Sequence, residues 1–333
     1  MASNDDWDQS IESTESDHTS TEGSLFRKST HLWYDDGNII LVAGGVGFRV
    51  YSGILSEQSS DLAEILAGIP EHGSPESTFD GCPVVFLPDS PSSMQHLLNA
   101  MHSIRFLLGK TIGCDALCSI LDLSSKYHIS PMRHHAIKSL QKYFPPKLHD
   151  YLDAKVARQS LTVGDVFYLA NVARTADVGV LLVPVLFCCA TQQLDTIFDG
   201  VPYRPFRSGR IVLNSTNQRA ILKSLPQLSR LARSRTLHSI FVSEACDLTN
   251  CLLMKRRLAV QVMDERKGAG FVNPLSSFSN LFEREEDLMC GDCSRDLTNC
   301  IAAGRVHVWE MLPEMFGLGS WEGIRSTAAG EEV

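Results

Sequence analysis

The sequence predicts an α+β fold in three parts: a disordered acidic tail over residues 1–25, a domain of short strands and helices over 31–145, and a mainly α-helical region over 146–333. Three observations predict it. The tail is polar and poor in apolar residues, two β-branched runs flank a glycine-rich turn, and apolar residues then recur at helical spacing. With 333 residues and 44% hydrophobic content, the chain is long enough for two cores.

The tail carries seven of the 39 acidic residues, and neither Lys nor Arg precedes Arg27. It is interpreted as a solubilising arm, with phosphorylation of its hydroxyls as the alternative. The rest of the chain is nearly neutral, which gives no overall signal for nucleic acid or for a membrane. The opening segment lacks the basic and then apolar pattern of a secretory signal, so we expect an intracellular protein with reduced cysteines. The apolar run at 178–190 is too short for a membrane span and is predicted to be a buried helix.

The first domain begins with two short strands, at 39–42 and 48–50, joined by "GGVG". The glycines do not match a nucleotide-binding GxGxxG loop, and a strand follows them rather than a helix. A helix is predicted next, with Ser60 as its N-cap. Its apolar face is formed by residues at helical spacing, namely Leu62, Ile65, Leu66 and Ile69.

The rest of this domain is predicted to contain a third strand and three helices. "CPVVFLPD" at 82–89 indicates the strand, and Pro91 is placed in the first turn of the helix that follows. Two further helices are indicated by apolar spacing in "ALCSILDLSSKYHISPMRHHAIKSL", and "FPP" at 144–146 ends the last one. The short hairpin and third strand are therefore accompanied by a cluster of helices.

This order of elements, with "DDGNIILVAGGVGFRVYSGILSEQSSDLAEIL" and "GCPVVFLPDSPSSMQHLLNAM", resembles a BTB/POZ domain of the type found in fungal, basidiomycete-like proteins. The resemblance implies a small α/β module that homodimerises and docks other proteins, often cullin-type ubiquitin ligases or transcriptional corepressors. It makes Tyr51 and Ile54 candidate residues of a dimer surface. The sequence departs from the family at two positions, because the family commonly has His where Tyr51 stands and often Asp where Asn38 stands.

The resemblance also implies a candidate cullin contact. Relatives often carry a hydrophobic residue, any residue and then Glu in the loop after the helix that starts near Ser60. "IPE" at 69–71 matches this pattern, with Ile69 and Glu71 as the contact residues. A solvated loop glutamate is the alternative interpretation, since three residues match by chance often.

The C-terminal region contains a segment over residues 200–243 with eight basic residues and no acidic residue, and we call it the basic segment. Its cations are Arg204, Arg207, Arg210, Arg219, Lys223, Arg230, Arg233 and Arg235. A nuclear transcription or chromatin cofactor would use such a segment on DNA. The sequence matches no DNA-reading motif and has few interleaved aromatic residues, so solvated helix faces are the favoured interpretation.

The cysteines supply the one cofactor hypothesis. Cys246 and Cys251 form a loose pair, and Cys290 and Cys293 form a closer pair in "CGDC". Four thiolates suit a structural Zn²⁺ ion, with Cys300 and His307 as substitute ligands. The alternative is that these are small buried residues that bind nothing.

No nucleophile, P-loop, kinase or HExxH motif is present, so the sequence predicts no enzyme. We expect a protein-interaction protein that homodimerises or docks partners, with the helical C-terminal region recognising a client. Substrate adaptor of a cullin-type ubiquitin ligase and nuclear cofactor are the alternatives. The closing segment is expected to pack back on the helical body through Val306, Trp309, Leu312, Phe316 and Trp321.

Overall fold

The computed structural model describes residues 26–68, 78–103, 112–203, 209–242, 246, 248–264, 272–276, 278 and 289–330, and shows an α+β protein with a small mixed sheet. The strands are β1 (Arg27–Trp33), β2 (Ile39–Ala43), β3 (Val46–Val50), β4 (Thr78–Phe79), β5 (Cys82–Leu87), β6 (Val201–Pro202) and β7 (Arg210–Ile211). The predictions for the tail, for Ile69 and for Glu71 lie outside the described residues.

Helices make up most of the rest of the described chain. In the first half they are α1 (Ser52–Gln58), α2 (Ser60–Ala67), α3 (Pro91–His102), α4 (Cys114–Lys126), α5 (Ser130–Leu140), α6 (Leu148–Asp153), α7 (Lys155–Arg158) and α8 (Val163–Thr175). In the second half they are α9 (Gly179–Ala190), α10 (Leu194–Asp199), α11 (Ser215–Leu231), α12 (His238–Phe241), α13 (Thr249–Asp264), α14 (Gly291–Met315) and α15 (Trp321–Gly330). A π-helical turn, Ala232–Thr236, follows α11.

The described chain divides into two compact units. The first contains residues 26–52 and 78–91 and holds a five-stranded sheet in the order β1-β3-β2-β5-β4. Within it, β2 and β3 form the predicted antiparallel hairpin, and β5 lies parallel to β2 with Ile40 opposite Val84. The hairpin turn requires glycine, because Gly44 and Gly45 have positive φ angles of 52° and 82°.

Two strands of this sheet are absent from the sequence-based prediction. β4 is only two residues long and is joined to β5 by Asp80 and Gly81, an Asp-Gly turn with both φ angles positive. That dipeptide is a strong hairpin signal and could have revealed the strand. β1 pairs in parallel with β3, and its mostly exposed residues lack the apolar pattern of a strand.

The N-cap of α2 differs from the prediction. Ser59, rather than Ser60, caps the helix, and its hydroxyl oxygen accepts from the Leu62 N–H at 3.0 Å. The same hydroxyl donates to the Tyr127 carbonyl at 2.7 Å, and Ser59 is buried. Since the buried hydroxyl has partners on both sides, it is better placed to cap the helix than its exposed neighbour. The buried apolar face of α2 is also narrower than predicted, because Ile65 is exposed.

The second unit contains residues 53–68 and everything described from 92 onward. Its main core includes the predicted buried helix, α9, which is enclosed along most of its length despite Pro184 inside it. The same core runs without a break from α4 and α5 to the C-terminal helices, and so crosses residue 145, where a domain boundary was predicted. No helix among the described residues combines the length and the apolar character that crossing a bilayer requires.

The closing segment packs on this core, as expected. Trp309 is stacked on Trp321 with ring centroids 5.5 Å apart, and the Trp309 indole N–H donates to the Pro146 carbonyl at 3.2 Å. Val306 is the exception in the predicted stripe, because it is exposed. α14 also continues past Pro313, where the stripe was expected to end.

Candidate metal centre

Four cysteines from three separate segments meet in the second unit. Cys246 lies before α13, Cys251 lies in the first turn of α13, Cys290 is the N-cap residue of α14, and Cys293 lies in the first turn of α14. Their four Sγ atoms all lie within 4.8 Å of one another. We call this group the thiol cluster. It brings together the two sequence pairs that were predicted as metal ligands.

The distances in the thiol cluster suit a single tetrahedral ion. Zn–S bonds of about 2.3 Å in a tetrahedron place neighbouring sulfurs about 3.8 Å apart. The Sγ atoms of Cys246 and Cys290 lie 3.8 Å apart. An iron–sulfur cluster would need more widely spaced thiolates, because several iron and sulfide atoms lie between them. The arrangement is therefore compatible with one tetrahedral metal ion and does not suit a cluster.

The thiol cluster has an inner and an outer pair. Cys251 and Cys293 are buried, at 2% and 5% exposure, whereas Cys246 and Cys290 are partly exposed. The backbone N–H of Cys290 donates to Cys251 Sγ at 3.2 Å. Backbone N–H groups that point at thiolate sulfurs stabilise the negative charge that a metal ligand carries.

The surroundings shift the pKa values of the Cys290 and Cys293 thiols in opposite directions. The backbone N–H and the thiol of Cys293 lower the pKa of the Cys290 thiol to about 7. Burial, together with hydrogen bonds to the Cys290 and Cys246 thiols, raises the pKa of the Cys293 thiol to about 12. The outer cysteine is thus poised to ionise first, and an ion would have to displace the proton of the inner one.

A buried cation lies beside the thiol cluster. Lys255 of α13 is only 6% exposed, and its charge lowers the pKa of the Cys293 thiol. No carboxylate among the described residues forms an ion pair with it. A buried ammonium group needs a negative counter-charge, and four thiolates around a divalent ion carry a net charge of −2. Lys255 therefore fits a metal-bound thiol cluster better than a set of neutral thiols. The sequence-based prediction did not include it, because a lysine in a helix gives no local sign of burial.

The thiol cluster belongs to a second, smaller hydrophobic core. This core is formed by the residues after α11, by α13 and by the first half of α14, with Leu258, Val262, Leu297 and Ile301 among its buried members. A small core buries little apolar surface, so a cross-link between the starts of α13 and α14 adds a large share of its stability.

The predicted substitute ligands do not join the thiol cluster. The Cys300 Sγ atom lies 4.0 Å from the Asp296 carboxylate, and His307 is exposed. Neither side chain is part of the group of ligand atoms that meet within the described chain.

The predicted dimer-surface residues lie at the junction of β3 and α1. Tyr51 and Ile54 are each half-buried. The Tyr51 hydroxyl donates to Asp36 Oδ1 at 2.7 Å, and this hydrogen bond raises the pKa of the phenol. The Asn38 side-chain oxygen accepts from the Ser52 N–H at 2.8 Å and so satisfies an otherwise unpaired amide at the start of α1. The side chains of Tyr51 and Asn38 thus both make hydrogen bonds near the start of α1.

The basic segment is partly described. Arg204 and Arg207 lie outside the described residues, and the Arg210 guanidinium donates to the Asp199 and Gly200 carbonyls. The other five cations, on α11 and the turn after it, are exposed. They are Arg219, Lys223, Arg230, Arg233 and Arg235.

No model of a known protein family matches the chain, and no curated protein is significantly similar to it.

Proposed function

We propose that the chain is a non-enzymatic protein-interaction protein of BTB type, and that a structural Zn²⁺ ion at the thiol cluster stabilises its C-terminal helical region. The observation that carries the metal part is the convergence of four Sγ atoms from three segments within 4.8 Å. The interaction part rests on the resemblance stated above and on the order of strands and helices.

Zinc is the ion that this donor set favours. Four thiolates are the commonest ligand set of a closed tetrahedral zinc site, and Lys255 supplies the partial charge balance. Because all four positions are taken by protein sulfurs, no position remains for a reactive water. The site would therefore hold structure together rather than catalyse a reaction.

Metal analysis of the purified full-length chain tests the zinc proposal. We expect about one zinc per chain, and a loss of stability when a chelator removes it. A Cys293→Ser variant should lose the metal, whereas a Cys300→Ser variant, changed at a cysteine outside the thiol cluster, should keep it. A folded wild-type chain that holds no zinc would show that the thiol cluster is not a structural metal site.

The proposed interaction function is supported by the order of the first elements. The β2–β3 hairpin, the α1 and α2 helices, the parallel strand β5 and then α3, α4 and α5 follow one another as the resemblance implies. In this proposal Tyr51 and Ile54 lie on the surface that meets a second copy of the chain. Burial of apolar side chains across a two-fold axis would provide the affinity.

The mass of the full-length chain in solution tests this part. Light scattering should give twice the single-chain mass of 36.8 kDa. An Ile54→Asp variant should return to the single-chain mass, because a charge would be buried without a partner. A wild-type chain of single mass would reject the homodimer and leave docking to a different protein.

The sequence also leaves two alternative classes of partner, a cullin and DNA. A cullin adaptor predicts binding that is lost in Ile69→Asp and Glu71→Ala variants, and unchanged binding would reject that contact. A nuclear cofactor would use the exposed cations of the basic segment. It predicts DNA binding that weakens steeply with salt, and a chain that shifts no DNA at low salt would reject it.

A further inference from the structure

The thiol cluster has two partly exposed sulfurs that lie close enough together to form a disulfide bond. Cys246 and Cys290 lie 44 positions apart in the sequence, yet their Sγ atoms are 3.8 Å apart. A disulfide bond is about 2.05 Å long, so the two sulfurs need to approach by less than about 2 Å to form one. The inner sulfurs of Cys251 and Cys293 are covered by protein.

We propose that Cys246 and Cys290 are a peroxide-modified pair: hydrogen peroxide oxidises them to a disulfide, and the zinc ion is released. This inference rests on the proposed zinc site. The proposal adds a site of covalent modification to the zinc site. The reactant is a small peroxide that diffuses to the exposed thiolates.

The reaction balances in two steps. One exposed thiolate attacks hydrogen peroxide, which breaks the O–O bond, gives a sulfenic acid and releases hydroxide, and the hydroxide takes up a proton from the buffered solvent to become water. The second thiolate then attacks the sulfenic sulfur, the S–S bond forms, and hydroxide leaves and is protonated to water. Two thiolates lose two electrons in total, and the peroxide that gains them is reduced to two waters.

Loss of the outer pair removes half of the ligands. Only the Cys251 and Cys293 thiolates remain, and two thiolates do not complete the tetrahedral shell of a zinc site. The disulfide would keep Cys246 tied to the start of α14 while the metal leaves.

Exposure explains why this pair, and not another, should react. Peroxide must reach the first sulfur, and Cys290 and Cys246 are the two members of the thiol cluster that solvent reaches. Cys300 is also partly exposed, but it lies outside the thiol cluster. It therefore serves as an internal control for non-specific oxidation.

The test treats the zinc-loaded full-length chain with hydrogen peroxide and follows zinc with a chromogenic chelator. Peptide mass spectrometry under non-reducing conditions then maps the disulfides. We expect about one zinc released for each Cys246–Cys290 disulfide, and recovery of zinc binding after reduction with dithiothreitol and addition of Zn²⁺. A Cys300→Ser variant should release zinc at the same rate as the wild-type chain.

Contrary outcomes separate this inference from the zinc proposal. If the untreated chain contains zinc but peroxide leaves it bound, or if the disulfide joins any other pair, the modification site is wrong and the structural zinc stands. If the untreated chain, purified and then supplied with Zn²⁺, binds none, both proposals fall. If zinc leaves while all four thiols stay reduced, release has another cause and the disulfide is rejected.

Discussion

Gly304 lies on α14 where this helix passes close to the backbone of the π-helical turn. A Cβ atom added at Gly304 would lie 2.6 Å from the Thr236 backbone nitrogen and 2.8 Å from the Arg235 carbonyl carbon, and it would also overlap Thr236 Cα. These are backbone atoms, so they cannot rotate aside as the end of a side chain can. We therefore predict that Gly304→Ala destabilises the second unit.

The size of the effect follows from two opposing contributions. Alanine gains about 1 kcal/mol over glycine in a helix interior. Forcing an extra methyl group into a packed site costs about 1–3 kcal/mol, and an obstacle made of backbone places the cost at the upper end. The expected net loss is about 2 kcal/mol. For a domain of this size, that lowers Tm by roughly 4–8 °C.

Urea unfolding followed by tryptophan fluorescence measures the loss, since Trp309 and Trp321 are buried in the core on which the end of α14 packs. Gly323→Ala is the matched control. Its nearest obstacle is the Ser320 hydroxyl at 3.6 Å, an ordinary contact, and it lies on the exposed side of α15. We expect it to be neutral or slightly stabilising. Equal stability of the two variants would refute the close approach between α14 and the turn.

Three further predictions concern single side chains. Lys255→Met should weaken zinc affinity about tenfold in a chelator competition, because it removes the cation beside the thiolates, while Lys223→Met on the exposed face of α11 should leave the affinity unchanged. Ser59→Ala should cost about 1–2 kcal/mol of unfolding free energy, and Ser60→Ala should cost less than about 0.5 kcal/mol; the reverse order would contradict the observed cap. Burial and a neighbouring carboxylate raise the pKa of Tyr203, so its stabilising effect is complete below the unfolded value near 10 and is lost as pH rises above it. Urea midpoints between about pH 8 and 11 should therefore fall less in Tyr203→Phe than in the wild-type chain, and parallel curves would reject this assignment.

Local patterns in the sequence were enough to predict the β2–β3 hairpin, strand β5 and the main helices of the first domain. The β2–β3 hairpin follows from β-branched runs on either side of two glycines, and α3 and α4 follow from apolar residues at helical spacing. Each of these patterns extends over only a few residues, and it favours the same local structure wherever the segment lies in the fold.

The misplaced N-cap and the missed edge strand show where local reasoning ends. Two adjacent serines offer the same capping chemistry, and only the position of the Tyr127 carbonyl decides that Ser59 is the buried cap. β1 is recognised as a strand only because β3 lies beside it, since its own residues are mostly exposed. In both cases the deciding partner is far away in the sequence.

For the candidate metal centre, the sequence alone determined the donor chemistry: two cysteine pairs, whose thiolates are the type of ligand that suits a soft ion. Only the tertiary structure decided that Cys246 and Cys251 meet Cys290 and Cys293, that Cys300 stays outside, and that Lys255 is buried beside them. The physical reason is that spacing along the chain controls which side chains share a turn of helix. Which helical turns meet in space depends on how α13 and α14 pack against each other. That packing is decided by the burial of apolar side chains over the whole unit, which must offset the entropy lost in closing the loop between the helices.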